Sequence, residues 1–425
     1  MQVQQKHTHI QSFGGLNFVN DYLIQSGFEG IAREQLGERN ILARYSYGQL
    51  IRQLFFISLM GGDTLDESGM LKEQLQDHPG LHISSADTIE YAFQELCQKT
   101  KKVSAKGGIQ HQINEHAGFN KLLPILCSRL GLLSAEDNYM MDYDGHIVEN
   151  TKHDNAFTYK KTEGYYPVVC SINKLPVYMQ NRNGNTPESY GQMKIIEKAF
   201  NQCKENNITV DSFRADACCY EKKTIQYLES EQVTYYIRAE KSQRILDALI
   251  DEPDWEPATL GYRNVEVCSI EEKIFGQNKC RRIVAYRYKP SGQLSIEDVD
   301  GYRYYTIVTS DAKHTALQCI EIYNQRGCYG EHHFKELDYD FGWNKLPFGS
   351  MEMNTIYMYA MAIAYLLFNA VKTVYSNKLG FVKSEMRLKN FVLHFVTLPA
   401  KWIKTGRRWV LKIFTKKIYS PLWSP

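Results

Sequence analysis

The 425-residue chain, 49.3 kDa in mass, is long enough for two or three domains and at least one large core. Its 43% apolar and 23% charged residues exclude an intrinsically disordered or collagen-like chain. The net charge of +2 hides an uneven distribution, because from Lys372 to Lys417 twelve Lys/Arg face a single acid, Glu385, and the remainder is acidic. A basic end on an acidic body points to a polyanionic partner, with a plain solvated tail as the bland alternative; interleaved Trp402, Trp409, Phe414 and Tyr419 favour a binding surface.

Taken in chain order, Met1-Gln-Val-Gln-Gln-Lys has no apolar segment of a secretory signal. Ten cysteines without CxxC spacing predict reduced thiols in the cytoplasm and argue against a disulfide framework or zinc ribbon. Residues 1–125 read as helical. Tyr47–Met60 has helical spacing with Ser46 as N-cap and Gly61-Gly62-Asp63 as stop. A second helix follows Ser84-Ser85, with Asp87 able to cap Ile89–Cys97, then a polar basic linker over 99–108 and a helix over Asn120–Leu133. Small helices with short turns fit a helix-turn-helix DNA reader or a helical support equally well.

From Tyr139 the pattern alternates. Strands are expected at Tyr139–Val148, Tyr165–Ile172, Leu175–Gln180, Ile208–Ala215 and Thr234–Ala239, with helices at Tyr190–Asn206 and Glu221–Glu231. This order predicts a mixed α/β sheet over 136–245. Residues 246–310 turn to short strands without helices, a β-rich insertion. Residues 311–371 return to helix at Thr315–Tyr323, again after Gly330, and in the apolar stretch Asn354–Val371. That stretch is broken by Asn369 and reads as a buried helix, with no membrane span. Residues 372–425 form the basic tail, expected to be helical.

Four acids stand out. Asp142 and Asp144 lie two apart on one strand, so both point to one face; Asp216 ends a later strand; Glu331 belongs to the helical region. Carboxylates so placed could converge on two Mg²⁺ ions, for which oxygen-only ligands are suited, with Mn²⁺ as a substitute. His332-His333 beside Glu331 invites a zinc reading, but adjacent helical residues point about 100° apart and do not readily share an ion. Cys218-Cys219 read as buried small hydrophobes. In the insertion, Lys279, Arg281, Arg287 and Lys289 share one strand parity, which could line a DNA channel.

Asp142-Tyr-Asp-Gly-His, Gly164-Tyr-Tyr-Pro, Arg182-Asn-Gly-Asn, Arg214-Ala-Asp-Ala-Cys-Cys-Tyr, Thr234-Tyr-Tyr-Ile-Arg and Tyr323-Asn-Gln-Arg-Gly…Glu331 occur in a telling order. From Phe13-Gly-Gly-Leu to about Val371 the chain resembles the DDE transposases of bacterial insertion sequences. The likeness is to the cut-and-paste group with a β-rich insertion between the second Asp and the Glu. The resemblance implies a retroviral-integrase-like, RNase H-like core. Its catalytic, metal-binding acids would be Asp144 (or Asp142, the choice staying open), Asp216 and Glu331. Tyr323 and Arg326 would contact DNA phosphates, and Arg281, Arg287, Arg407 and Arg408 are further DNA-binding candidates. It also implies Mg²⁺, terminal inverted repeats and target DNA as double-stranded partners, a homodimer on DNA, and a nucleoid-associated cytoplasmic location. A non-catalytic DNA-binding relic is the alternative. The chain departs from the pattern at His146 (for Thr or Ser), at Asp338 (for the signature Lys) and by one extra residue between Arg326 and Glu331.

Overall fold

A computed structural model of the chain describes residues 1, 3–5, 8–290 and 298–423, with the side chains of Lys106 and of 328–333 left undescribed. Six helices come first: α1 (Gly15–Gln25), α2 (Phe28–Leu36), α3 (Tyr47–Leu59), α4 (Ser68–Gln74), α5 (Ala86–Leu96) and α6 (Ala117–Arg129). Ser46 caps α3 in a reciprocal box with Gln49. At α5 the cap position falls on Ser85, so Asp87 sits inside the first turn. The expected linker over 99–108 instead carries strand β1 (Lys101–Ser104), and with β2 (Gln110–Asn114) just after it this strand joins the edge of the main sheet through β8 (Leu175–Arg182). Backbone pairing thus overrides a locally polar sequence.

The main sheet has eleven strands in the order β1-β2-β8-β7-β3-β9-β10-β14-β13-β12-β11. Its remaining members are β3 (Asn138–Gly145), β7 (Val168–Ile172), β9 (Thr209–Ala215), β10 (Thr234–Arg238), β11 (Glu256–Leu260), β12 (Arg263–Lys273), β13 (Cys280–Tyr288) and β14 (Arg303–Thr309). The expected strand Tyr139–Val148 breaks after Gly145. Its end forms a small separate sheet of β4 (Val148–Glu149), β5 (Ala156–Phe157) and β6 (Glu163–Tyr165). Residues 246–310 do not form a module apart: β14 pairs antiparallel with β10, so the insertion continues the central sheet. It also begins in a helix, α9 (Gln243–Ile250).

Helices cover both faces. Phe213 of β9 meets Phe200 of α7 (Gln192–Glu205), and α8 (Lys222–Ser230) packs beside it on that side. On the opposite face lies α10 (Ala316–Tyr339), one unbroken helix through Gly327 and Gly330 where two were expected. The longest helix, α11 (Met351–Lys378), is long and apolar enough to cross a membrane by composition, yet 94% of that stretch is buried within the protein, as befits a core helix. It packs on α3, α5 and α6.

The tail is not helical throughout. After α12 (Leu388–Phe391) and one π-helical turn, it forms an antiparallel ribbon of β15 (Ala400–Thr405) and β16 (Arg408–Ile413). Gly14 and Gly15 explain how this segment docks. A Cβ on Gly14 would lie 2.4 Å from Ala400 Cβ, and one on Gly15 would lie 2.6 Å from Val396 Cα. Only glycine permits that approach. Gly15→Ala should therefore lower the melting temperature and expose the Lys/Arg-rich ribbon to limited trypsin digestion. Gly30→Ala in α2, where the added Cβ meets open space, should leave both unchanged or stabilise by up to about 1 kcal/mol.

Candidate active site

Strands β3 and β9 run parallel, with Asp142 opposite Arg214 and Tyr143 opposite Ala215. The next rung brings Asp144 and Asp216 side by side where the two strands end, the edge at which open α/β sheets place ligands. Alternation puts both rungs on the face covered by α10.

The lower rung is a closed ion pair. Arg214 Nε and Nη2 donate to the two Asp142 oxygens at 2.7 and 2.8 Å, and Nη1 donates to the Ile322 carbonyl of α10 at 2.7 Å. Both side chains are 4% exposed. Asp142, a catalytic candidate from sequence, is therefore corrected to a strut fastening α10 to the sheet: Arg214 takes both of its oxygens.

The upper rung is open. Asp144 lies 2.8 Å from Arg326 Nη2, an ion pair off the hydrogen-bond direction; Nε and Nη2 of this buried arginine find no acceptor among the described residues. Burial opposes the Arg326 charge, yet Asp144 and Asp216 hold its pKa above the ordinary value. Burial pushes the Asp144 carboxyl up to about 6 against the pull of Arg326, with Asp216 and Asp142 adding to the rise. Asp216 caps a short turn, accepting from the Cys218 N–H at 2.9 Å.

A third carboxylate was missed in the sequence. Glu188, Asp216 and Cys218 have ligand atoms all within 4.8 Å of one another. Glu188 sits in the loop after β8, and that loop is shaped by Arg182, the first residue of the Arg182-Asn-Gly-Asn motif. Fully buried, Arg182 donates to the carbonyls of Pro187 and Tyr190 at 2.8 Å and of Glu188 at 3.1 Å. Tyr143 donates to the Glu188 carbonyl at 2.8 Å, and Tyr166 to Glu188 Oε2 at 2.9 Å. Oε1 is buried and has no hydrogen-bond partner among the described residues. Burial, then the charges of Asp216 and Asp144, push this carboxyl up to about 7. Gly145 is required here: a Cβ would come within 2.7 Å of the Tyr166 ring and 3.0 Å of the Glu188 carboxyl carbon.

Two departures from the family pattern turn out to be partners. His146 Nε2 lies 2.8 Å from Asp338, and the His146 ring stacks on Phe334 at 4.4 Å. This contact pins the distal half of α10 to the end of β3, as Asp142–Arg214 pins the proximal half. Glu331 lies in α10, seven residues before Asp338, so its position shares the Asp338 side of the helix to within about 20°. The Glu331 side chain, like those of His332 and His333, lies outside the described residues.

The remaining candidates scatter. Tyr323 packs against the sheet next to Arg326, with its hydroxyl pKa raised by burial. Arg281 is corrected from a DNA-facing to an internal residue: it pairs with Glu229 of α8 at 2.8 Å and is buried. Arg287 is likewise engaged, paired with Glu266 at 2.6 Å and held between Trp255 and Tyr302 at 4.0 and 4.4 Å. Arg407 and Arg408 are exposed at the ribbon turn. Cys218, expected as a buried hydrophobe, is half-buried at the acidic cluster.

Clustered carboxylates at strand ends, one with an orphaned buried oxygen, form a donor set that fits a hard divalent cation. Asp144, Asp216 and Glu188 would hold it, whereas the Cys218 thiol is a poor ligand for such an ion. Fold and site together define a mixed α/β sheet protein with an acidic cluster at its strand ends. The chain belongs to the transposase DDE domain group 1 family, whose model matches residues 1–424. Among solved structures it is similar to a piggyBac transposase synaptic complex with hairpin DNA, at 11% identity and a TM-score of 0.44, over 90% of this chain and 78% of that one. No curated protein matches.

The two kinds of carboxylate separate by their effect on stability. Because the Glu188 pKa is raised on folding, the folded form holds a proton that the unfolded chain releases, and the metal-free protein loses stability as pH rises from about 4 to about 7. Glu188→Gln should stabilise the metal-free protein at pH 8 by on the order of 1–3 kcal/mol, and not at pH 4. Asp142→Asn should destabilise it at pH 8 by about 3–5 kcal/mol, because Arg214 is left buried and unpaired. Thermal melts in chelator at the two pH values check both.

Proposed function

We propose that the chain is the transposase of a bacterial insertion sequence, binding the terminal inverted repeats of its element, cleaving there and joining the 3′-ends to target DNA. The observation that carries this reading is the juxtaposition of Asp144 and Asp216 at adjacent strand ends with Glu188 of the loop after β8, close to Arg326. Asp144 and Asp216 would hold the metal together with Glu188, whose carboxyl lies beside Asp216, and Glu331 of α10 is proposed as a further ligand. Held by these acids, Mg²⁺, or Mn²⁺ in its place, would supply charge neutralisation for a phosphoryl displacement.

The chain's own residues position the DNA. Water attacks the scissile phosphorus as the 3′-oxygen leaves; in strand transfer that 3′-hydroxyl attacks a target phosphorus, and the target strand's own 3′-oxygen leaves with the proton. Arg326, ion-paired with Asp144 through Nη2, would bring positive charge to a phosphate at the strand ends, and Tyr323 lies one turn before it on the same helix. The Asp142–Arg214 and His146–Asp338 contacts fix α10, so that Arg326 and the Glu331 position stay aligned with the strand ends. The protein acts as a homodimer on DNA, in the nucleoid-associated cytoplasm.

The test is cleavage of a supercoiled plasmid carrying the DNA that flanks the gene, with and without Mg²⁺. Asp144→Asn, Asp216→Asn and Glu331→Gln should each reduce cutting by at least about a thousandfold while end binding survives, and double variants should be no worse than single ones. Wild-type binding without cutting would identify a non-catalytic relic. Normal cutting by Glu331→Gln would remove the α10 carboxylate from the metal set.

A further inference from the structure

The C-terminal ribbon is a fastened arm, and its two faces differ. Pairing of Lys401 with Lys412, Ile403 with Val410 and Thr405 with Arg408 puts these six on one face. Ala400, Trp402, Lys404, Trp409, Leu411 and Ile413 share the other, whose Ala400–Trp402 end sits on the body while Lys404 and Trp409 near the turn are exposed. Trp402 Nε1 donates to Asn17 Oδ1 at 3.0 Å and its ring meets His78 edge-on at 5.1 Å. Ala400 exchanges backbone hydrogen bonds with Gln11 at 2.8 and 2.9 Å. A solvated tail would have no such footing.

The outward face carries an apolar centre flanked by cations. Val410 is 42% exposed next to Ile403; Arg408 and Lys412 are exposed, as is Arg407 at the Gly406-Arg407 turn. No acid follows Glu385 anywhere in the chain. Two strands lie about 4.8 Å apart and six residues span about 20 Å. A duplex major groove, about 12 Å wide, admits such a ribbon, offering phosphates on both rims and thymine methyl groups on its floor.

We propose that the β15–β16 ribbon lies in the major groove of duplex DNA, with Arg407, Arg408 and Lys412 on phosphates and Ile403 and Val410 against base edges, while Lys401 donates to Thr8 of the body. This rests on the DNA-processing reading above and adds to it a binding element remote from the acidic site. It assigns the ribbon a groove contact of fixed orientation, which charge attraction alone would not require.

The experiment is fluorescence anisotropy with a random-sequence duplex of about 30 base pairs, titrated over a range of salt. The triple variant Arg407→Ala/Arg408→Ala/Lys412→Ala should flatten the slope of log K against log salt by about 2–3. Removing the exposed Lys378, Lys383 and Lys389 as alanines should change it by less than about 1. Val410→Glu, one acid on the same face, should weaken binding in the same direction. Methyl green, which occupies the major groove, should compete; netropsin, in the minor groove, should not. Equal slopes for both triple variants, or competition by netropsin alone, would overturn the groove assignment and leave the transposase reading intact. If the ribbon variant loses self-association while keeping its salt slope, the ribbon is an interface between copies and the inference falls. Wild-type protein that binds no duplex at all would instead sink the reading beneath it.

Discussion

Neighbouring carboxylates at the ends of two parallel strands repel, and burying them is tolerable only if cations are brought to the same place. Around β3 and β9 that constraint is met one rung at a time. Arg214, on the sheet itself, neutralises Asp142 completely. Arg326, on α10, approaches Asp144 and leaves Asp216 and Glu188 without a full counter-charge. Docking α10 and balancing the acids are therefore one event. The helix spans the gap through both its glycines because contacts at each half hold it to the sheet: the Ile322 carbonyl with Arg214, and Asp338 with His146. What remains unbalanced is a deficit of positive charge confined to the strand ends, which is the electrostatic condition for recruiting a divalent ion.

Much of this was legible in the chain. Alternation located β3, β9 and β10, Ser46 announced α3, and the order of acid-bearing motifs agreed with the family that the chain belongs to. Strand parity placed Asp142 and Asp144 on one face but could not tell them apart. The difference is depth: one rung lies beneath α10 beside an arginine, the other at the rim. Arg214, two residues before Asp216, was visible, but its partner was settled only by the parallel register. Glu188 was hidden because it lies in an irregular loop whose shape depends on Arg182, a residue whose burial no local pattern reveals. In hindsight a glycine beside Asp144 and a charged residue opening the Arg182-Asn-Gly-Asn run were the available signals.

The expectations that failed did so for one shared reason: a locally polar or basic sequence was read as loop, tail or DNA-facing surface. The 99–108 linker is partly sheet edge, the tail ends in a ribbon, and Arg281 and Arg287 look inward. Ser84, in the candidate helix-turn-helix opening, is buried and hydrogen-bonded to Gln53 of α3. Long cationic side chains cover apolar surface with their stems and pair through their ends, so parity and charge alone leave their direction undecided.

The stacking of Phe18 on Tyr419 and Trp423, at 5.5 and 5.7 Å, has a consequence for how the chain is made. Helix α1 touches α2 and Tyr375 of α11, and its cover is completed by the segment that holds Trp402, whose hydrogen bond to Asn17 joins residues 385 apart. A ribosome therefore releases most of the sheet before the first helix can settle. The opening helix must wait in the open, or be held by a chaperone, and its late seating makes the two ends of the chain a single closing step of folding. A prematurely terminated product would keep its acidic strand ends and still lack the clasp.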